Sequence, residues 1–392
     1  MTPAATADPS AAAIAACVVA RGVAPVCAAG CSGSTPGRDP RWRRETGGAT
    51  DALFDLASVT KPMTAVAIAL AGMDRTAPIA TWLPEARGTP SERVPLELFL
   101  AHRAGLDGHR ALYEPILRGQ SVDLQDALRT AASARRDDAQ GEAPPEGFVP
   151  VYSDLGYLLA GVALARAVRA RDAGEAVTKL VLDPLGLAGQ AGTVRDLAAR
   201  GRYGPFVPTE DVPFRGGRIV GAVHDENAWA LTELGGSGHA GIFGTVDAVL
   251  TFGEAVHDAT TEAVHDATTE AIDAAFHPGP RGAAKTGPLG RVDLGWLVRE
   301  RGGEGVGGTL RAGFDGKSPR DSSAGPSMSP RSFGHLGFVG TSLWIDPDAH
   351  RVVVLLSNRV FHGRHPAAIR TARPEAHEAL WRRAAQFSPD LA

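Results

Sequence analysis

The sequence has few cysteines and no long apolar segment. Its three cysteines, Cys17, Cys27 and Cys31, all lie near the N-terminus, and an odd number without a Cys-x-x-Cys pair supports neither a disulfide framework nor a cysteine-type zinc site. No stretch approaches the roughly 18 consecutive apolar residues that a membrane helix needs. The apolar run from Ala11 to Ala20 has no basic residue before it, which is the wrong order for a signal peptide. We therefore expect a cytoplasmic protein without a membrane partner.

An excess of basic charge is also lacking. The 40 lysine and arginine residues are outnumbered by 44 acidic ones, a net charge of −4, so nothing in the charge balance points to nucleic acid as a partner. The 392 residues are 44% hydrophobic and 21% charged, a composition typical of a globular chain with room for a substantial core. Lysine is scarce: only four of the 40 basic residues are lysine.

One of these four lysines, Lys61, lies in the most informative stretch, Phe54–Val66, an apolar entry into a predicted helix. Ser58 and Lys61 are three residues apart, so on a helix they share a face and the ammonium can reach the hydroxyl. A lysine beside a serine, near the positive end of a helix dipole, can make that serine nucleophilic, whereas arginine could not exchange its proton. The pair predicts an acyl-transfer site, although by itself a helix N-cap serine with an exposed lysine is the more ordinary interpretation.

Two further segments supply the groups that such a serine needs, namely a proton acceptor and an oxyanion hole. Tyr152-Ser153-Asp154 opens an apolar helix, and a phenol close to Lys61 would be easier to ionise. A capping serine or aspartate explains the same three residues equally well.

His335-Leu336-Gly337 is predicted to lie on the edge of a C-terminal hairpin. Gly337 would let a substrate approach the strand closely, and the Phe338 N–H could join the Ser58 N–H in an oxyanion hole. Alone, this segment is only a strand that contains a histidine.

The overall pattern predicts an α/β (α+β) fold in which one antiparallel sheet, built from both chain ends and flanked by helices, carries an inserted, mainly helical part. We expect a single catalytic domain over 1–392, with a sheet part at 1–75 plus 285–392 and a helical part at 76–284. The predicted elements are helices at 10–21, 121–137, 152–168, 175–186 and 366–387, a helix from about 245, strands at 23–31 and 291–298, a hairpin at 332–346 with 351–359, and loops at 32–50 and 302–332. The helix from 245 contains an octad duplicated at 255–262 and 263–270, which we interpret as a tolerated insertion of about two helical turns.

Taken together and in this order, the three segments resemble the serine β-lactamase and penicillin-binding-protein superfamily, most closely its class C-like branch of esterases, lactamases and D-peptidases. The resemblance covers most of the chain and extends to Val223–Ala228 and Gly238–Phe243. It implies that Ser58 is the nucleophile and that Lys61 and Tyr152 share the proton transfer. His335 and Gly337 would line the edge strand, Phe338 would supply an oxyanion N–H, and neither cofactor nor metal would be needed.

Two residues depart from the family pattern. Asp154 stands in place of an asparagine; a carboxylate there would hold Lys61 protonated, make Tyr152 the better base and favour a substrate amine. His335 stands in place of a lysine that meets the substrate carboxylate in lactamases, and a mostly neutral imidazole is a weaker anchor at pH 7. The first prediction is therefore a hydrolase of a small ester or amide that forms an acyl-enzyme. A true class C-like β-lactamase and a penicillin-binding-like protein that captures a ligand without turnover are the alternatives.

Other motifs are weaker. Lys285-Thr286-Gly287 spells a family motif literally, but Pro288 follows and would break an edge strand. Gly316-Lys317-Ser318 lacks the first glycine and the preceding strand of a phosphate loop. His224–Asn227 is better interpreted as a hydrogen-bonded loop than as a metal site, and His239 as a loop anchor rather than a catalyst.

Overall fold

The computed structural model describes residues 8–35, 41–260, 289, 292–301, 308–364 and 367–388. Its strands are β1 (Cys27–Gly33), β2 (Arg43–Gly48), β3 (Phe54–Asp55), β4 (Ala191–Gly192), β5 (Asp211–Val212), β6 (Gly217–Arg218), β7 (Phe243–Gly244), β8 (Asp315–Gly316), β9 (Phe333–Leu336), β10 (Ser342–Asp346) and β11 (Arg351–Ser357). Its helices are α1 (Ala11–Ala20), α2 (Thr60–Leu70), α3 (Leu96–Leu100), α4 (Glu114–Leu117), α5 (Leu124–Ser133), α6 (Asp154–Ala167), α7 (Ala173–Val177), α8 (Val194–Ala199), α9 (Glu226–Thr232), α10 (described over 246–260), α11 (Gly295–Val298) and α12 (Ile369–Ala384).

Both chain ends build the central sheet, as predicted. Its strand order is β2-β1-β11-β10-β9-β8, with antiparallel pairing throughout. The central strand β11 has five consecutive valine and leucine residues between Arg351 and Ser357, and all seven of its residues are buried, because β-branched and apolar side chains suit a strand covered on both faces. Val352 and Val354 belong to one apolar cluster, whereas Val353 and Leu355 belong to the other, as the two-residue period of a strand requires.

Helices cover both faces of this sheet. Apolar residues of α1 and α12 pack together with one face. On the other face α10 lies so close to β1 that a Cβ added to Gly30 would sit 2.8 Å from a methyl group of Leu250, which leaves no room for a side chain there. Antiparallel sheet and flanking helices together confirm the predicted mixed α/β class.

The residues between β3 and α10 are mainly helical, and they pack around α2 and α6. Residues Thr60 to Ile68 of α2 are all buried, so this helix lies inside the molecule rather than on its surface. Ser153 caps α6 by accepting from the Gly156 N–H, which places Tyr152 just before the helix and Asp154 in its first turn. Among the described residues, no helix is long and apolar enough to cross a membrane.

Several element predictions were wrong. The first strand begins at Cys27 instead of residue 23. The predicted loop at 32–50 contains the strand β2, whose polar residues do not show a strand pattern because it lies at the sheet edge with an exposed face. Where a strand was predicted at 291–298, the structure has the helical turn α11. The first copy of the octad lies in α10 as far as residue 260, and its second copy at 263–270 lies outside the described residues.

The C-terminal hairpin is in fact three strands. β9 and β10 are separated by a turn at 337–341, and β8 pairs with Phe333 and Gly334 of β9. The outermost strand is therefore β8 rather than β9, and the edge of β9 is free of β8 from His335 onward. The proposed division at 75 and 285 stays a prediction; α10 falls within its helical range, 76–284, yet packs against the sheet.

Candidate active site

Ser58 lies in a one-turn 3-10 helix, Ala57–Val59, that leads directly into α2. The backbone of Ala57 is in the left-handed region, with φ of 47°, a conformation that costs free energy for a residue with a side chain. The buried carboxylate of Asp55 stabilises this turn, because Oδ1 accepts from the Ala57 N–H at 2.8 Å and Oδ2 from the His224 N–H at 2.7 Å. Burial raises the pKa of Asp55 to about 6, although these two hydrogen bonds oppose the shift.

Lys61 is the centre of the site. Its ammonium donates to Ser58 Oγ at 2.9 Å, to the Tyr152 hydroxyl at 2.6 Å and to Asp154 Oδ1 at 2.7 Å. An ammonium has three N–H groups and no acceptor, so these three partners use all of them; the His239 carbonyl, at 3.5 Å, is a weaker fourth contact. The Lys61 side chain is fully buried, whereas that of Asp154 is 22% exposed. Four predicted site residues are thus brought together.

Tyr152 projects into the cleft and remains 37% exposed. Burial around its hydroxyl, followed by the charge of Asp154, raises the pKa of Tyr152 well above its usual value, and a hydrogen bond with Ser58 only partly opposes this. The expectation that Lys61 would make the phenol easier to ionise is therefore wrong. The charge of Asp154, the carboxylate that pairs with Lys61, also acts on the phenol and offsets the attraction of the ammonium.

His102 is a residue of this cluster that the sequence reasoning missed. Its ring stacks on Tyr152 with centroids 4.6 Å apart, and its Nδ1 accepts from the Ser153 N–H at 2.9 Å. Burial and the nearby charge of Lys61 lower the pKa of His102 well below its usual value, so the neutral ring acts as a support for the phenol. In the sequence, the only indication of this role is that His102 lies in the segment Ala101–Leu106, just before a glycine.

His335 lies on β9 beside Tyr152, with ring centroids 6.0 Å apart, and it is buried. Its Nδ1 is 2.9 Å from the Leu336 carbonyl; because a carbonyl only accepts, Nδ1 must carry the proton. Burial lowers the pKa of His335, so the ring is neutral at pH 7 and Nε2 is a bare acceptor. Nε2 has no hydrogen-bond partner within the described part of the chain.

Gly337 and Phe338 lie in the turn that follows β9. The expectation that Gly337 leaves room for substrate is wrong: a Cβ there would lie 1.9 Å from Thr341 Oγ1 and 2.7 Å from the Leu56 carbonyl, so the space is taken by protein. The glycine lets this turn pack against the backbone just ahead of Ser58. Phe338 is 45% exposed, and within the described residues its amide and that of Ser58 donate to no acceptor. Both amides are therefore available for an oxyanion.

The loop after Gly221 forms a supporting layer. The His224–Asn227 side chains face four different partners: His224 contacts Thr209, Asp225 accepts from His239 at 2.8 Å, Glu226 pairs with Arg364, and Asn227 donates to the Arg110 carbonyl. His239 also contacts Ser237 at 3.0 Å, so it anchors the loop whose carbonyl reaches Lys61. The described residues hold no cluster of histidine, cysteine, aspartate or glutamate suited to a metal.

The remaining two motifs are Lys285-Thr286-Gly287 and Gly316-Lys317-Ser318. Lys285-Thr286-Gly287 is outside the described residues. Lys317 donates to the Pro326 carbonyl at 2.9 Å, which makes it a loop anchor.

Comparisons with known proteins bear on this geometry. The family model described as Beta-lactamase matches residues 4–377. A Salmonella gallinarum protein provisionally named D-alanyl-D-alanine carboxypeptidase is 26% identical over 222 residues, which are 53% of this chain and 45% of that protein. The match therefore spans less than half the length of this curated relative.

Two solved structures illustrate the structural likeness. A β-lactamase/D-alanine carboxypeptidase from Pseudomonas syringae is 15% identical with a TM-score of 0.60, over 95% of this chain and 97% of that one. A family VIII carboxylesterase is 16% identical with a TM-score of 0.59, over 94% and 95%. At such identities the likeness concerns the fold alone.

Proposed function

Because this chain belongs to the beta-lactamase family, we propose that it is a serine hydrolase that cleaves a small ester or amide through an acyl-enzyme on Ser58. The observation that carries this proposal is the buried Lys61 ammonium within hydrogen-bond distance of Ser58, Tyr152 and Asp154. A buried ammonium whose three protons point at a serine, a phenol and a carboxylate is arranged for proton transfer at that serine rather than for surface solvation.

The proton of Ser58 has one acceptor of suitable chemistry in this arrangement. The Lys61 ammonium, which is paired with Asp154, has no lone pair to accept it. Tyr152, which is hydrogen-bonded to Ser58, accepts the proton when it is ionised, and the Lys61 ammonium stabilises the phenolate. The raised pKa of Tyr152 then makes this active form scarce at neutral pH and more abundant as pH rises.

The remaining steps use the same groups. Ser58 Oγ bonds to the substrate carbonyl carbon, and the negative charge that develops on the carbonyl oxygen is met by the N–H groups of Ser58 and Phe338. The bond to the leaving group then breaks, and Tyr152 returns the proton to it. A water molecule then attacks the acyl carbon and gives a proton to Tyr152; the bond between that carbon and Ser58 Oγ breaks, Tyr152 returns the proton to Oγ, and the acid is released.

An ordinary ester or amide fits better than a β-lactam because the β9 position lacks a permanent cation. His335 is buried and its lowered pKa keeps it neutral, so it offers a substrate carboxylate no charge. The cytoplasmic compartment and the absence of nucleic-acid and membrane partners remain predictions from the sequence.

Colour release from p-nitrophenyl acetate and from nitrocefin, each with the wild type and Ser58→Ala, tests the proposal. We expect ester turnover that disappears in Ser58→Ala and little nitrocefin turnover. Efficient turnover of both would favour the β-lactamase alternative, and stoichiometric labelling of Ser58 without turnover would favour the ligand-capturing alternative. Ester turnover that survives Ser58→Ala would refute the mechanism.

A further inference from the structure

The two ends of the cleft around Ser58 differ in charge. At the Tyr152 end, Asp154, Asp225 and Asp315 all lie close enough for their negative charges to act on the phenol. Lys61 is bound to Asp154, and Asp225 is bound to His239, so the carboxylate of Asp315 has the least compensation.

The unpaired atoms at this end are acceptors. Asp315 Oδ1 and His335 Nε2 are both buried and have no hydrogen-bond partner among the described residues. His335 cannot supply a proton there, because its one N–H is already donated to the Leu336 carbonyl. Asp154, whose side chain is 22% exposed, adds carboxylate surface toward the cleft. Buried acceptors without donors cost free energy, so a ligand that completes this end must bring N–H or O–H groups.

The Phe338 end has the opposite character. Arg359 donates to the Phe338 carbonyl at 2.7 Å and lies 4.8 Å from its ring centroid. Arg373, which is buried, donates to the Gly337 carbonyl at 3.3 Å. Guanidinium groups therefore lie behind the turn that carries Phe338, whereas the charges of the three carboxylates act on Tyr152. A substrate with its positive charge at the Tyr152 end and its carbonyl oxygen at the Phe338 end matches this polarity.

We propose that the substrate is an amino-acid ester or amide with a free, protonated amino group, whose ammonium binds at Asp154 and His335 Nε2 within the negative field of Asp315. This inference rests on the serine hydrolase function proposed above and adds the class of acyl group. An ammonium supplies three donors and one positive charge, which suits two or three acceptors around an uncompensated carboxylate.

The test compares substrates that differ only at the amino group. Hydrolysis of alanine p-nitroanilide, in both enantiomers, is measured at pH 7 against N-acetyl-alanine p-nitroanilide and succinyl-alanine p-nitroanilide, with p-nitrophenyl acetate as a neutral substrate. We expect kcat/KM for the better free-amine enantiomer to exceed that of its acetylated form at least about tenfold. The succinylated anion should be the poorest, and added salt should reduce the preference only partly because the site is shielded from solvent.

Variants test which residues cause the preference for a substrate with a free amino group. Asp315→Asn and Asp154→Asn should each lower the ratio of free-amine to acetylated substrate several-fold, and the use of a ratio cancels any general effect on Ser58 chemistry. Asp126→Asn, which makes the same charge change at an exposed position on α5, should leave the ratio unchanged.

The outcomes separate the two proposals. If p-nitrophenyl acetate is hydrolysed through Ser58 but the acetylated or succinylated anilide is preferred, the ammonium inference is wrong and the hydrolase function stands. A tenfold preference that neither Asp315→Asn nor Asp154→Asn reduces also overturns the inference, because the amine would then bind elsewhere. If no substrate reacts through Ser58, the parent function itself fails.

Discussion

Replacement of Asp154 by asparagine tests whether Lys61 depends on a carboxylate partner. At the observed 2.7 Å, two unit charges attract by about 6 kcal/mol at an effective dielectric constant of about 20. Asparagine keeps one acceptor but loses the charge, so the desolvation cost of the buried ammonium is no longer offset. Removal of one partner of a buried pair costs about 3 to 5 kcal/mol. Because Asp154 is partly exposed, we expect the free energy of unfolding to fall by about 2 to 4 kcal/mol.

Urea denaturation at pH 7 measures this change, and the chain offers a matched control. Glu114 and Arg118 form an exposed pair, with side chains 58% and 59% exposed at 3.4 Å, so Glu114→Gln should cost less than about 1 kcal/mol. If Asp154→Asn costs no more than Glu114→Gln, the argument that the Asp154 carboxylate compensates the buried charge of Lys61 fails.

A double variant separates stability from chemistry. Lys61→Met with Asp154→Leu replaces the pair by apolar side chains of similar shape, an exchange that is often neutral or stabilising. We expect the free energy of unfolding of this variant to equal the wild-type value within about 1 kcal/mol or to exceed it. We also expect the variant to hydrolyse no ester. Such a result would show that the pair is kept for catalysis, whereas a double variant less stable than Asp154→Asn would contradict the estimate.

Three further predictions concern other parts of the site. Because the pKa of Tyr152 is raised, kcat/KM for p-nitrophenyl acetate should keep rising with pH above neutrality. Tyr152→Phe should lower the rate about 10²–10⁴-fold and abolish this rise. A plateau below pH 8 in the wild type would show that another group is the base. Asp55 has a folded-state pKa of about 6 against about 3.9 unfolded, so its folded form keeps a proton that the unfolded chain has lost. Its contribution to the free energy of unfolding is therefore complete at low pH and falls by about 3 kcal/mol as pH rises from about 4 to 6. Urea denaturation at several pH values measures this fall, and the same pH dependence in Asp55→Asn as in the wild type would contradict the prediction. Gly337→Ala should lower kcat at least about tenfold, and adding Thr341→Ala should not restore it, because the Leu56 carbonyl would still lie 2.7 Å from the new Cβ; restored kcat would show that the backbone contact is unimportant.

The parts of the site that could be predicted from sequence depend on local geometry. Ser58 and Lys61 are one helical turn apart, so their contact follows once a helix is predicted. The run of valine and leucine in β11 likewise predicts a buried strand, because this pattern is typical of a strand that is covered on both faces. The cluster with Tyr152 was inferred from the order of segments, and the structure brings its members within hydrogen-bond distance.

Other features depend on position in the sheet and on tertiary contacts, which the local sequence pattern does not indicate. β2 is polar because it lies at an edge, and β8 is only two residues long, so neither has a periodic pattern. The space next to Gly337 looked open in the sequence, and it is filled by Thr341, a near neighbour in the chain, and by the Leu56 carbonyl, which is far away in it.

The sequence by itself determined the pairing of serine with lysine, the order of the three segments and the class of fold, because these follow from residue type and short-range spacing. Only the tertiary structure decided the protonation of the site. The raised pKa values of Tyr152 and Asp55 and the lowered pKa of His335 all result mainly from burial, and in part from charges brought together by residues far apart in the chain.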